Sequence, residues 1–465
     1  MRLWRKIEPN SYIRRLTLLK KLFWLYFFLL IFEGALRKWV APQLSAPLLI
    51  IRDPVGMWII WQAYRTHRWP HRWTLPLTAL TVLIVSLFVV QIIAGGNPLL
   101  VGLFGLRSYL LPFPVMFVMG ENLDQEDLRR MGICTLWFLI LNTPIAVAQY
   151  LAPGNAFLNK GAYEGAGQIG YIGEHMRSSG TFSFAVGLVF LAGLAAAFLI
   201  YGMVNENLAK KRLLWASIFA LLLLTPTTGA RSLLAQFAAI LGSVAIGAMM
   251  GISQFTKVLK IIIPIAAMGL LVSFVPVFSQ AMSSMVERIT GATLAEGGTV
   301  QASVYDRTLA PMVNTVGNAV SSSNWIGIGL GRGSVAVQMF LNGTNEMVAG
   351  EAEIEHEVGE MGLPAAVAFE LFKLAVLIAL LGGALARARE GEPLALLLFP
   401  LVVSFSLFGL FEQPTVQGFI VITSAFCIAA GKMQPQTVVQ RVPLAYQRLQ
   451  MMQQRRVQRG PAPNL

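Results

Sequence analysis

Charge is scarce in this sequence. Only 13% of the residues are Asp, Glu, Lys or Arg, where a soluble domain carries about a quarter. With 55% apolar side chains and a mean hydropathy of +0.63, a chain freely dissolved in water is excluded. Length alone, 465 residues, would suggest about three soluble domains, but apolar runs recur throughout and argue for one integral membrane domain. Cysteine is nearly absent. Cys134 and Cys427 each sit inside an apolar run, which suits buried thiols and not a disulfide framework. No small-residue cleavage site follows the basic start, Arg2 to Lys21; the apolar run continues into Glu33, Arg37 and Lys38, so a retained first span is expected and not a signal peptide. There is no repeat at 20–50 residues and no inverted pair of broken helices of the kind that marks many transporters. The net charge of +13 comes mostly from Lys and Arg flanking the apolar runs, which reads as a topology signal and not as nucleic-acid binding.

What is present is a series of membrane spans. A span needs about 20 mostly apolar residues, and the sequence predicts twelve, near 20–36, 44–64, 75–93, 99–119, 131–151, 181–203, 213–228, 231–250, 258–278, 360–385, 393–411 and 415–432. Two pairs are tight hairpins, turned at Thr225-Pro226-Thr227-Thr228-Gly229 and at Glu412-Gln413-Pro414. With the N-terminus in the cytoplasm, that side receives Arg65, Arg68, Arg72, Arg129, Arg130, Lys210 to Arg212, Lys257, Lys260, Arg387 and Arg389. The opposite side receives far fewer basic residues, which is the positive-inside pattern. The expected fold is all-α and polytopic: spans one to nine over 1–278, a large outward loop over 279–357, the last three spans over 358–432, and a basic, flexible cytoplasmic tail over 433–465.

The loop is long for a protein whose other connections are short, and loops of that length are commonly functional. It carries Asp306-Arg307, the run Gly327-Ile328-Gly329-Leu330-Gly331, and an acidic approach to His356 through Glu351, Glu353 and Glu355, with Glu357 beyond. Carboxylates beside an imidazole raise its basicity and orient its ring; the plain alternative is a solvated histidine in an acidic linker. Arg231 follows an outward turn where a helix begins, a place whose free N–H groups and a guanidinium both favour an anion, although an interface arginine can also simply snorkel to headgroups. Arg52-Asp53 reads as a paired charge inside the membrane that holds helices together, and Arg107, eight residues into the fourth span without a local acid, as an open candidate for a lipid-linked ligand. His356-Glu357-Val358-Gly359-Glu360 looks like a zinc-protease helix with one letter wrong, Glu360 being a poorer zinc ligand than the histidine wanted there; His175 could supply an imidazole from an earlier loop.

Taken in order, these motifs resemble the bacterial O-antigen ligase and O-antigen polymerase superfamily of membrane glycosyltransferases. Thr228-Gly229-Ala230-Arg231-Ser232 is similar to that family's Thr-Gly-Ser-Arg turn. Arg307, with Asn318 and the glycine run, is similar to its arginine ahead of a Gly-rich segment. His356 with Glu360-x-Gly362-Leu363 is similar to its His-Asn and following Glu, and Arg177-Ser178-Ser179-Gly180-Thr181-Phe182 is a weaker match. The resemblance covers roughly 175–412. It departs at Glu357, where the family has Asn, and at Ser183-Phe184, where it has Pro-Asn; the Phe32-Glu33-Gly34-Ala35-Leu36-Arg37-Lys38-Trp39 stretch lies outside it.

The resemblance implies a GT-C-type fold in a bacterial inner membrane with both termini cytoplasmic. It also implies a donor glycan on a polyprenyl pyrophosphate, a saccharide or glycolipid acceptor, and inverting transfer without metal or other cofactor. His356 is then the general base, Arg231 and Arg307 hold the pyrophosphate, and Arg107, Arg177 and Glu360 are further donor or acceptor contacts. A polymerase role is favoured slightly over a ligase because the His-Asn pairing is altered. A transporter of polysaccharide or lipid-linked oligosaccharide, and a membrane metalloprotease, are the rival readings.

Overall fold

A computed structural model describes residues 9–93, 96–162, 170–172, 175–205, 208–252, 274, 276–295, 300–321, 324–334, 337 and 352–432; side chains at 9–14, 171–172, 276–277, 288–289, 292–295, 300–304 and 306–309 fall outside the description. Among the described residues, apart from one two-stranded ribbon, β1 (Tyr171–Ile172) and β2 (His175–Met176), the regular structure is helical. The longer helices in chain order are α1 (Pro9–Ala35), α2 (Arg52–Arg65), α3 (Thr74–Ile93), α4 (Leu99–Leu110), α5 (Pro112–Asn122), α6 (Gln125–Leu151), α7 (Ala185–Val204) and α8 (Lys211–Thr228). They are followed by α9 (Arg231–Met249), α10 (Pro276–Ala295), α11 (Val300–Ser321), α12 (Glu353–Met361), α13 (Leu363–Arg389), α14 (Leu394–Phe408) and α15 (Pro414–Ala430).

Seven segments among the described residues are long and apolar enough to cross a membrane: 42–65, 71–93, 99–122, 125–151, 185–204, 231–249 and 363–389, with α14 and α15 as shorter apolar helices. The molecule is a multi-pass helical membrane protein. Of the twelve expected spans, most of 258–278 lies outside the described residues, as does the tail from 433. The two hairpins form where their turn residues place them. Thr227 and Thr228 bond back to Leu224 and Thr225, Gly229 takes the left-handed conformation at φ 53°, and α9 starts two residues on. Pro414, which has no N–H to lose, opens α15.

Two boundaries differ from expectation. The span at 99–119 is interrupted at Leu111, because Pro112 cannot donate to the preceding turn. The span expected at 360–385 divides at Gly362, whose φ of 75° stops α12 and lets α13 begin at Leu363-Pro364. His356 and Glu360 therefore sit on their own short helix. The expected loop at 279–357 is itself largely helical where it is described: α10 packs beside α8, and α11 against α12 and α13.

Apolar on all sides, a helix must be buried in protein or lipid, and the bundle uses both. Every residue of α15 is buried, between α5, α14 and α7, and 83% of the α7 window is buried, against 22% for the segment containing α3. Small residues bring the central helices together: a side chain at Gly120 would meet Ile428, and one at Gly132 would meet Phe198.

Charges inside this apolar frame are stitched in pairs. Arg52 and Asp53 do not pair with each other. Arg52 Nε donates to Glu33 Oε2 at 2.9 Å, tying α2 to α1, and Arg37 approaches the same carboxylate at 3.5 Å. Asp53 turns the other way, to Arg107 Nη1 at 2.6 Å, so Arg107 has the local acid that the sequence did not reveal. Side chains one apart on a helix point in different directions, which is why neighbours took different partners.

A second seam absorbs the Phe32–Trp39 stretch. A side chain at Gly34 would strike the backbone of 181–183; Arg37 donates to Ser183 Oγ at 3.1 Å, and Lys38 to Ser179 Oγ at 2.9 Å and Gly180 O at 2.8 Å. From the other side, Gln149 Oε1 accepts from the N–H groups of Ser179 and Gly180, and Asn142 Oδ1 from that of Thr181. The 32–39 stretch thus fastens the Arg177–Ser183 segment. Removing one member of a buried ion pair strands the other, at about 3–5 kcal/mol. Glu33→Leu, which strands two guanidinium groups, is expected to cost that much in detergent unfolding, whereas Glu33→Gln, which keeps an acceptor, costs less.

Candidate functional site

α12 begins from a simple pattern. Residues 353, 356, 357 and 360 fall at i, i+3, i+4 and i+7 and share one face, and all four are buried. Buried ionisable groups are costly unless each finds a partner, so the surroundings of this face are built around that need. Glu353 Oε2 accepts from Phe411 N–H at 3.1 Å. Glu357 takes Lys373 Nζ at 2.6 Å, and the same lysine reaches Glu370 at 2.8 Å. Glu360 accepts the N–H of Gly331 at 2.9 Å and that of Gly333. His356 Nδ1 lies 3.9 Å from Glu412 Oε2, which comes from the turn between α14 and α15.

The glycine turn that serves Glu360 is pinned by two amides. Gln91 donates to Ile326 O at 2.7 Å and Glu360 O at 2.6 Å and accepts from Leu330 N–H at 2.8 Å. Asn97 donates to Leu330 O at 3.1 Å and accepts from Arg332 Nε at 3.3 Å. Gly331, at φ 85°, presses against α4, where a side chain at Gly105 would lie 2.2 Å from its nitrogen. Gly333 is the tightest point. A Cβ there would meet His356 Nδ1 and Glu412 Oε2 at 2.4 Å each, and Glu360 Oε1 at 2.7 Å. Three ionisable side chains converge on one glycine.

Burial pushes the carboxyl of Glu353 up to about 7, that of Glu360 above the ordinary range, and those of Glu357 and Glu412 well above it. Glu412 differs from the rest: with both carboxyls ionised, neither of its oxygens has a donor among the described residues. Two carboxylates in contact cannot both remain charged away from water. The proton sits on Glu412, whose O–H then donates to Glu360, the partner already stabilised by two backbone N–H groups. The result is an imidazole beside an acid–carboxylate pair, an arrangement that can accept and pass a proton.

The other expected residues lie elsewhere on the fold. Arg231 opens α9, half-buried. Arg177 comes to the same turn, its Nε donating to Thr228 O at 3.0 Å while Ser178 N–H donates to Thr227 O at 3.2 Å. Arg307 is on α11, which packs against α12, but its side chain is outside the described residues. Arg107 belongs to the Asp53 ion pair. His175 stacks on Tyr150 and engages both ring nitrogens, with Tyr150 O at 3.0 Å and Gln280 at 3.1 Å. Among the described residues no three His, Cys, Asp or Glu side chains are grouped as metal ligands.

Glu357 belongs to Lys373; the acid facing His356 is Glu412. Glu412, Arg332 and Lys373 escaped the sequence reading. A polar residue in an apolar hairpin was the signal for Glu412, a Gly-Arg-Gly step just past the glycine run for Arg332, and a lone lysine inside a span for Lys373. In comparisons with known proteins, the chain matches no family model and no curated protein.

Gly333→Ala is expected to abolish function while leaving the membrane bundle folded, read as loss of activity at unchanged melting temperature within a few degrees. The acids give a second prediction. Their folded pKa lies above the unfolded value, so their contribution is fully present below the unfolded pKa of about 4.3 and is lost as pH rises. Each acid kept protonated costs about 1.4 kcal/mol per pH unit above that value. Melting temperature should therefore fall from pH 5 to pH 8, and Glu412→Gln, which needs no proton, should flatten that fall.

Proposed function

We propose that this protein is a membrane glycosyltransferase of the O-antigen ligase/polymerase type. It moves a glycan from a polyprenyl pyrophosphate to a saccharide or glycolipid acceptor on the periplasmic side of a bacterial inner membrane. The observation that carries the reading is the convergence of buried His356, Glu360 and Glu412 on the glycine turn. It joins the motif residues at 327–331 and 356–362 in one place, in an order similar to the family's. The twelve-span GT-C arrangement with cytoplasmic termini belongs to the same proposal.

In the reaction, the acceptor hydroxyl oxygen bonds to the anomeric carbon as the bond from that carbon to the pyrophosphate oxygen breaks. The hydroxyl proton passes to His356, general-base catalysis worth about 10²–10⁴-fold. Glu412, facing Nδ1, orients the ring, and Arg332 beside the turn adds positive charge. The departing pyrophosphate keeps the bonding pair, and Arg231 and Arg307 neutralise it without a metal, as positioned cations do. One displacement inverts the anomeric centre. Arg177 braces the Arg231 turn from behind.

One observation favours a second reading. A buried acid pair sharing a proton is also how proton-coupled transporters store charge. Replacing His356, Arg231 or Arg307 singly by Ala and following glycan transfer separates the two. The transferase reading expects at least about a hundredfold loss in each, with lipid-linked units accumulating outside the membrane. Full transfer in all three variants at normal expression would remove it, and units retained inside would favour the transporter. Single repeat units left on the carrier would mark a polymerase, intact long chains a ligase.

A further inference from the structure

A groove of about 720 Å³ runs along the outside of the bundle between α2, α3 and α4, remote in sequence from the glycine turn and α12. Its walls are apolar, with Met57, Val82 and Leu103 lining it and 56%, 61% and 44% exposed. These residues belong to segments apolar enough to cross a membrane, and only 33% and 22% of the α2 and α3 segments are buried, so the groove opens onto lipid chains. One end is closed by Tyr64 stacked on Trp69 at 4.4 Å. At the other end is the Asp53–Arg107 ion pair, whose side chains are 11% and 17% exposed. From Asp53 to Tyr64 the groove follows three turns of α2, about 16 Å.

The polar end decides the occupant. Arg107 gives Nη1 to Asp53 and Nη2 to Ser108 Oγ at 3.2 Å, while its buried Nε has no hydrogen-bond partner among the described residues. The pair is neutral overall and presents a donor beside an acceptor. A purely anionic head would bring uncompensated charge up to the Asp53 carboxylate. A choline head offers that carboxylate no N–H. A phosphoethanolamine head answers both partners, phosphate oxygen to Arg107 and ammonium to Asp53.

We infer that this groove is a binding site for one phospholipid with a phosphoethanolamine head, its chain lying between α2, α3 and α4 and its head exchanging bonds with Asp53 and Arg107. A pyrophosphate-linked glycan has the wrong charge for this end, so the site is separate from the proposed donor site and does not depend on the transferase reading. The test is native mass spectrometry of the full-length protein released from bilayers of phosphatidylethanolamine, phosphatidylglycerol and phosphatidylcholine with identical chains in equal amounts. One phosphatidylethanolamine should be retained, with a preference of roughly tenfold over each competitor, the worth of one charge-assisted hydrogen bond. Leu103→Trp and, from the facing wall, Met57→Trp fill the groove from exposed positions and should lose the lipid at unchanged melting temperature. Asp53→Asn should shift retention toward phosphatidylglycerol. Equal retention of the three lipids, no retained lipid, or undiminished phosphatidylethanolamine in both groove-filling variants would overturn the site. Glycan transfer is not the readout, so its presence or absence bears only on the transferase.

Discussion

Glu360 buried under two backbone N–H groups is the contact on which the rest of the site depends. A carboxylate with no water must be given donors, and here they are the amides of Gly331 and Gly333, positions where a side chain would collide with the neighbours that bring them so close. That requirement explains the supporting contacts. Gln91 and Asn97 hold the turn in place, and Gly105 opens α4 to receive Gly331. Once Glu360 is ionised and fixed, Glu412 is the acid that must keep its proton, and His356 is left facing it. The hydrogen-bond needs of one side chain thus set the protonation of its neighbours.

The same logic organises the membrane-spanning part. Glu33, Arg37, Arg52, Asp53 and Arg107 are each costly in an apolar bundle, and each is matched by a group on another segment. These pairs specify which helices adjoin, since any other register would strand a charge. Lys373 plays this part for α12, anchoring it to α13 through Glu357 while Glu370 holds the lysine from its own helix. Glu357 is therefore a structural residue, and the acid that faces His356 comes from a different part of the chain, at Glu412. Among the described residues the Lys38 amine rests on a hydroxyl and a carbonyl and not on a carboxylate.

The helical character, the tight hairpins and the start of α9 at Arg231 were legible because they depend on local signals: apolar run length, proline and glycine in turns, a helix-capping geometry within a few residues. That His356 and Glu360 fall on one crowded polar stretch was legible too, because ionisable residues stand out where the chain is otherwise apolar. The partnership of Arg52 with Glu33, and of Asp53 with Arg107, was not, since adjacent residues look paired on paper and diverge by about 100° on a helix. Nor was the division at Gly362 legible, because a glycine at the head of an apolar run gives no sign of its φ.

By itself the sequence determined the class of the molecule, a helical multi-pass membrane protein. Recurring apolar runs of about twenty residues are what a bilayer requires of its helices, and composition reports them directly. It also determined that acids and a histidine had to be accommodated near the start of α13. Only the tertiary structure decided which of them meet. Glu412 lies 56 residues from His356 in the chain, and its place in an apolar hairpin gives no sign of which residue it will face. Its role follows from the packing of α15 through the centre of the bundle, which carries the preceding turn onto α12. Desolvation is a property of the surroundings, not of the residue, and so appears only when the helices have closed around it.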